Sequence, residues 1–388
     1  MRCAPSPSAE AAASPAGVSA MTAGSHAGSA SSGRWLDQPT SLALFLGALA
    51  RWLEDAEVTE ICINRPGEAF VERQSGWQRE EADFLTFDWC LSVARLVANF
   101  TRQRISSQEP LLSATLPGGE RIQIVLPPAT APGTVSLTIR RPSRSVWSLE
   151  QLHERGMFDH VRPQATLAHK GQEDRRGSDG AAPVPDPGRA ALRALLAQGE
   201  TVAFLREAVR QRQNILLSGA TGSGKTTVSK ALILEVPADD RLITIEDVQE
   251  LSLRNQPNHV RLFYSQGGQG QSEVTPGQLL AGAKRQRPDR IFVSELRTGD
   301  EVYDYLVSVN TGHPGSITSV HADSARMAFV ALAQLMKRSD AGRGMTTREG
   351  VELARLSIDV VVQCARERQH RFVREIWLAP EDRGDGLR

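Results

Sequence analysis

The sequence is poor in cysteine and aromatic residues, and it has no excess of charge of either sign. Its 388 residues include four cysteines, 11 Phe, 6 Trp and 3 Tyr, while 45 Lys and Arg balance 45 Asp and Glu. Cys3, Cys62, Cys90 and Cys364 form no C-x-x-C pair, which excludes a zinc ribbon or finger and a disulfide scaffold. So few scattered thiols fit a reducing cytoplasm.

A long apolar run and a basic bias are also missing. The longest apolar stretch, residues 42–53, is interrupted by Arg51, whereas a membrane-spanning helix needs about 20 apolar residues. No apolar region follows Arg2, so we expect no signal peptide and only peripheral membrane contact. Zero net charge and few aromatic residues argue against a nucleic-acid helicase, and we expect no direct sequence-specific nucleic-acid binding.

Composition divides the chain into two folded units. In residues 1–33, 25 positions are Ala, Ser, Gly or Pro, which predicts a disordered tail. Residues 163–188 hold four Pro and four Gly, which is typical of a linker. The predicted division is a tail at 1–33, a first unit at 34–148, a linker at 149–190, a second unit at 191–380 and a C-terminal tail at 381–388.

The two units differ in hydrophobic pattern. The first has helical stretches at 42–58 and 88–100 and four short strands, at 61–64, 69–72, 121–126 and 135–140, which predict an α+β domain with an antiparallel sheet. The second alternates helices with apolar strands, at 214–218, 242–245, 290–294, 316–320 and 359–363. That alternation predicts an α/β domain with a mostly parallel sheet covered on both faces.

The segment GATGSGKTT at residues 219–227 matches the phosphate-binding pattern G-x-x-x-x-G-K-[ST] between a strand and a helix. Glycines let backbone N–H groups surround phosphates at the helix N-terminus. Lys225 would reach the β and γ phosphates of a nucleotide, and Thr226 would bind Mg²⁺. The predicted nucleotide-binding residues are Gly219, Ala220, Thr221, Gly222, Ser223, Gly224, Lys225, Thr226 and Thr227.

Acidic residues end two of the predicted strands, and ligands bind at the carboxyl ends of parallel strands. Glu246 and Asp247 follow one strand, and Glu295 follows another. Either Glu295 or Glu246 is predicted to polarise the attacking water as the general base or to hold Mg²⁺ through a water molecule. Ser294 stands where many P-loop enzymes place the metal-binding Asp, so Glu246 or Asp247 is predicted to supply the Mg²⁺ ligand. Asp247 also fits the alternative role of a helix cap.

Two histidines flank the predicted strand at 316–320. His321 follows its carboxyl end, so we predict a role in sensing the γ-phosphate or in relaying between subunits, with a structural histidine as the alternative. His313 precedes the strand, and neither histidine has a cysteine nearby, which excludes a zinc site there.

Four ordered segments carry a resemblance to the secretion traffic ATPases. Residues 219–227, 243–251 (ITIEDVQEL), 285–297 (RQRPDRIFVSELR) and 310–324 (NTGHPGSITSVHADS) resemble that superfamily's Walker A, Asp, Walker B and His boxes. Residues 257–270 and 310–324 look like the VirB11 branch, the type IV secretion ATPases. The resemblance covers residues 35–380 apart from most of the 163–188 stretch, and Ser294 and this long stretch depart from the family pattern.

The resemblance implies a two-tier homo-hexamer whose RecA-like motor domains hydrolyse ATP with Mg²⁺. It implies coupling to pilus assembly or substrate export at the cytoplasmic face of the inner membrane, with inner-membrane channel components as partners. Family arginines that reach the nucleotide from the N-terminal domain match Arg121 and Arg140 here, and an Arg fork can neutralise a phosphoryl transition state.

Two other functions stay open from the sequence. One is a type II secretion or type IV pilus motor, although the four-cysteine module of many extension motors is missing. The other is a nucleotide-binding scaffold with little turnover, against which Glu246, Glu295 and the two arginines argue.

Overall fold

The computed structural model describes residues 40–73, 75–141, 146–164, 186–264, 274–310, 312–368 and 370–380. The predicted tails, 1–33 and 381–388, lie outside the described residues. So do residues 165–185 of the predicted linker and residues 265–270 of the segment 257–270 that resembles the VirB11 branch.

The first unit is built on one antiparallel sheet. Its elements, in chain order, are α1 (Ser41–Gly47), α2 (Ala50–Leu53), β1 (Glu60–Arg65), β2 (Gly67–Arg73), β3 (Gly76–Ala82), α3 (Phe87–Thr101), β4 (Leu111–Thr115), β5 (Arg121–Val125) and β6 (Ser136–Arg140). The strand order is β3-β2-β1-β6-β5-β4, and every neighbouring pair is antiparallel. This confirms the predicted α+β unit.

One face of this sheet forms the core of the first unit. Alternate residues of β1, β5 and β6 are buried, for example Ile61 and Ile63, and they share a cluster with Val93 and Val97 of α3. Alternation buries one face because successive side chains of a strand point to opposite sides. The predicted helix over 42–58 is wrong in length, since it divides into α1 and α2 near Gly47 and ends at Leu53.

The second unit is an α/β layer. Its elements are α4 (Leu149–Glu154), β7 (Arg162–Gln164), α5 (Pro187–Ala197), α6 (Thr201–Arg210), β8 (Ile215–Ser218), α7 (Lys225–Leu234), β9 (Leu242–Glu246), β10 (His259–Phe263), α8 (Pro276–Lys284), β11 (Arg290–Val293), α9 (Gly299–Asn310), β12 (Ile317–Val320), α10 (Ala325–Met336), α11 (Thr347–Ser357), β13 (Val360–Glu367) and β14 (His370–Leu378). The strand orders are β10-β9-β11 and β12-β8-β13-β14-β7, and among these described strands only β13 and β14 pair antiparallel.

The two strand sets lie side by side and present their carboxyl ends at one edge. The Leu296 N–H donates to the Ser319 carbonyl at 2.8 Å, and the Ser319 hydroxyl donates to the Ser294 carbonyl at 2.9 Å. All residues of β8, β9, β11 and β12 are buried, as expected for parallel strands covered by helices on both faces. The mostly parallel sheet is therefore confirmed.

The prediction of a linker over 149–190 is wrong for residues 149–164. Leu149, Leu152 and Phe158 are buried in the core of the second unit, and β7 pairs with β14. The cause is local, because Ser148 and Gln151 form a capping box that starts α4. The apolar face of α4 packs on the second unit rather than on the first.

Candidate active site

The glycine-rich loop connects β8 to α7 at the carboxyl edge of the sheet. Gly219, Gly222 and Gly224 have φ angles of 151°, 74° and 101°, which other residues rarely adopt. A Cβ at Gly219 would also collide with the backbone carbonyl of Cys364. These glycines therefore allow the sharp turn that brings the first N–H groups of α7 to the loop.

The loop contains groups that fit a phosphate. The Ser223 hydroxyl is buried and has no hydrogen-bond partner among the described residues, so it can donate to an anionic oxygen. The Lys225 ammonium donates to the carbonyls of Gly219 at 2.7 Å and Ala220 at 3.1 Å. Burial lowers the pKa of Lys225, and the nearby Glu295 carboxylate acts in the opposite direction. A bound phosphate would supply the negative charge that this buried ammonium largely lacks.

Glu295 and His321 lie beside Lys225. His321 Nε2 is 2.7 Å from Glu295 Oε1, and Lys225 Nζ is 3.3 Å from His321 Nδ1 and 4.0 Å from Glu295 Oε1. A protonated lysine has no acceptor, so Nδ1 accepts from Lys225 and Nε2 carries the proton that His321 donates to Glu295. The structure thus brings these three predicted residues together.

Arg297 binds two of the acidic residues at once. Its Nε donates to Glu295 Oε2 at 2.8 Å, and its Nη1 donates to Asp247 Oδ2 at 2.5 Å. Burial acts to lower the pKa of Arg297, but the charges of Asp247 and Glu295 outweigh it and raise that pKa. A planar guanidinium that bridges two carboxylates fixes the orientation of both.

The first unit reaches the same network through Arg121. Arg121 Nη2 lies 3.1 Å from Asp247 Oδ1 and 3.0 Å from Glu250 Oε1. The Thr226 hydroxyl lies 3.5 Å from Glu250 Oε2. Glu250 therefore connects the end of the phosphate loop to the first unit, which composition and spacing did not indicate.

The environment of Glu246 argues against its predicted roles as general base and metal ligand. Its side chain is 0% exposed and accepts four hydrogen bonds, none of them from the loop 219–227. The donors are the Thr244 hydroxyl at 2.7 Å, the N–H groups of Glu250 at 2.8 Å and Leu251 at 2.9 Å, and Arg261 Nη1 at 3.4 Å. Glu246 holds the chain that follows β9 in place. A buried carboxylate whose two oxygens already accept hydrogen bonds has no oxygen to offer a metal.

Asp247 is likewise committed to neighbouring donors. One of its oxygens accepts from Arg121 and from the Val248 N–H, and the other accepts from Arg297. This bridge between the two arginines argues against its predicted role as a metal ligand. Glu250, in contrast, has its second oxygen beside the Thr226 hydroxyl.

Among the described residues, Arg140 makes no hydrogen bond or ion pair with the loop. It lies opposite Arg121 in the register of β5 and β6, it is exposed, and its charge contributes to lowering the pKa of Lys225. An exposed guanidinium near the loop is free to meet a phosphate.

Sequence reasoning missed Arg297, Glu250 and Arg371. Arg297 follows Glu295 by two residues and Glu250 follows Glu246 by four, so both lie inside the resembling segments. Arg371 lies in β14, a strand that the sequence did not reveal, and its Nε donates to the Gly222 carbonyl at 3.0 Å.

The described residues contain no cluster of three or more His, Cys, Asp or Glu arranged to hold a metal ion. In the same part of the chain, no helix is long and apolar enough to cross a bilayer.

Comparisons with known proteins identify the family of the chain. Residues 190–372 match the family model described as type II/IV secretion system protein. The type IV secretion system protein VirB11 of Bartonella quintana is 43% identical over 336 residues, which cover 86% of this chain and 92% of that protein. VirB11 of Brucella suis is 41% identical over 345 residues, 88% of this chain and 91% of that protein.

A solved structure shows the same fold. The crystal structure of the ATPase DotB of Legionella pneumophila superposes with a TM-score of 0.56 at 15% identity, covering 89% of this chain and 84% of that one. This likeness confirms the expected RecA-like domain preceded by an α+β domain.

Proposed function

Because the chain belongs to the VirB11 family of type IV secretion ATPases, we propose that it hydrolyses ATP to ADP and phosphate and uses the reaction to power type IV secretion. The observation that carries the proposal is the meeting of Lys225, His321 and Glu295 at the phosphate loop. Pilus assembly and substrate translocation are the two forms that this work takes.

Each residue of the proposed site has a distinct part in the reaction. Lys225 exchanges the carbonyls of Gly219 and Ala220 for the β and γ phosphates, and the Ser223 hydroxyl donates to a phosphate oxygen. Glu295, oriented by Arg297 and His321, accepts a proton from the attacking water. Because this carboxylate is held in one orientation, it also positions that water for the attack.

Positive groups neutralise charge on the phosphates. Thr226 and Glu250 would hold Mg²⁺, which would supply positive charge beside the phosphates. Arg140 contributes a guanidinium to the charge that spreads over the transferred phosphoryl group. Arg121 binds Asp247 and Glu250 and so links the first unit to the residues beside the phosphate loop.

We infer the assembly and location from the family. The chain works as a homo-hexamer at the cytoplasmic face of the inner membrane, with peripheral membrane contact and with inner-membrane channel components as partners. Its balanced charge supports protein partners over direct sequence-specific nucleic-acid binding.

The proposal is tested by measuring phosphate release together with molecular mass over a range of protein concentrations. We expect activity per chain to rise as hexamers replace smaller species. An assembled ring without turnover would contradict the motor function and favour a nucleotide-binding scaffold.

Arg140→Ala is expected to reduce kcat by about 10- to 100-fold while changing the ATP Kd by less than about threefold, because its charge acts on the transition state. Steady-state turnover and equilibrium binding measure the two quantities. Arg140→Lys, which keeps the charge but loses the planar fork, should recover part of the rate. Equal losses of affinity and rate would make Arg140 a ground-state contact.

A further inference from the structure

The hairpin formed by β13 and β14 carries two arginines against the phosphate loop. Strand β8 lies between β12 and β13 and is parallel to both. His321 follows β12, whereas Arg366 lies near the end of β13, so they flank the loop on opposite sides. Arg366 is paired with Arg371 across the hairpin.

Both side chains reach the loop itself. Arg371 Nε donates to the Gly222 carbonyl at 3.0 Å. Arg366 Nη1 lies 3.2 Å from the place that a Cβ on Gly222 would occupy, and the Arg371 Cβ lies 3.8 Å from the corresponding place at Gly224. The absence of a side chain at Gly222 thus leaves room for the Arg366 guanidinium.

The charge of this pair is not balanced by acidic partners. Like charges directly opposite each other destabilise a strand pair. Among the described residues neither Arg366 nor Arg371 forms an ion pair, whereas Arg374 of the same hairpin lies 3.0 Å from Glu367. Burial lowers the pKa of Arg371, the charges of Arg366 and Arg140 lower it further, and the charge of Glu72 in the first unit acts in the opposite direction.

We propose that Arg366 and Arg371 bind the non-reacting end of a nucleoside di- or triphosphate, at its α-phosphate. The inference rests on the proposed function and extends it. Glu295 and His321 lie on one side of the loop, where the terminal phosphate reacts, so a phosphate chain that crosses the loop brings its α-phosphate toward the hairpin. An anion shared by both guanidiniums offsets their repulsion.

This position predicts an effect on binding and not on the chemical step. The α-phosphate occurs in ATP and in ADP, and its charge changes little when the terminal bond breaks. Interactions that are equal in the ground state and the transition state alter KM and leave kcat unchanged.

The experiment measures ADP and ATP affinity by calorimetry, and kcat at saturating ATP, for the full chain and for Arg366→Gln and Arg371→Gln. We expect each variant to weaken both nucleotides about tenfold or more, as for the loss of one charge-assisted hydrogen bond, with kcat within about twofold. Arg374→Gln is the matched control, since it removes the same charge from an ion-paired position, and it should bind ADP as the wild type does.

Thermal melting separates binding from folding. Without nucleotide, Arg366→Gln should melt at the wild-type temperature or higher, because it relieves a like-charge contact, while the rise in Tm on adding ADP should shrink. If Arg366→Gln has a lower Tm without nucleotide and a normal rise in Tm on adding ADP, the arginine pair stabilises the fold instead of binding nucleotide, and the inference is overturned.

Two other outcomes would overturn it. One is unchanged ADP affinity in both variants, and the other is weaker binding of ATP alone, which would place the hairpin at the terminal phosphate. Failure of the proposed function looks different, because the wild type itself would then bind no ADP or would not turn over ATP.

Discussion

Lys225→Ala is expected to abolish nucleotide binding and to lower ATP turnover by about 10³-fold or more, while the protein stays folded. The ammonium is the only side-chain cation described within the loop 219–227, and in such loops it supports both ground-state binding and the transition state. The fold should survive because burial of this charge is unfavourable, as its lowered pKa indicates.

Calorimetry with ADP and a phosphate-release assay measure the two losses, and circular dichroism and Tm report the fold. Lys337→Ala, which changes an exposed lysine just after α10, is the matched control and should retain affinity and rate. Full turnover by Lys225→Ala would show that this loop is not the catalytic site.

Glu295→Gln is expected to lower kcat by about 10³-fold while nucleotide affinity stays near the wild-type value. The amide has almost the same shape and still accepts from Arg297 or His321, but it cannot take a proton from water. Single-turnover phosphate release and ADP binding by the same preparation separate the chemical step from affinity.

Glu246→Gln provides the contrasting variant. Its amide would meet donors on both sides where the carboxylate now accepts four hydrogen bonds, so we expect a loss of about 1–3 kcal/mol in the free energy of unfolding. Turnover per folded chain should change far less than in Glu295→Gln. The reverse pattern, a stable Glu246→Gln without activity and an active Glu295→Gln, would make Glu246 the general base.

Strands whose pattern follows their burial were predictable from the sequence, and others were not. Strands β8, β9, β11 and β12 are short, β-branched and buried throughout. In contrast, β3 (GWQREEA) is an edge strand with mainly exposed, charged residues, and β10 is also an edge strand with incomplete burial. Edge strands bury little, so their residues carry no clear hydrophobic period.

The carboxylates of residues 246–250 show that the sequence alone could not assign every residue of the site either. Glu246, Asp247 and Glu250 lie within five positions, and spacing alone cannot say which of them turns toward the loop. The choice depends on donors far away in sequence, Arg121 in the first unit and Arg297 after β11. Once Glu246 takes the two N–H groups of Glu250 and Leu251, the Glu250 side chain lies beside Thr226.

The sequence by itself determined the balanced charge, the two-unit organisation, the glycine loop with Lys225 and Thr226, and the positions of Glu295 and His321 at strand ends. These features are local, because a motif between a strand and a helix depends on neighbouring residues and on backbone freedom at glycine. Only the tertiary structure decided that Arg297 orients Glu295, that Arg121 binds Asp247 and Glu250, and that the β13–β14 hairpin lies on the loop. Those contacts join residues distant in the chain, and their geometry exists only after the sheet has brought its carboxyl edge together.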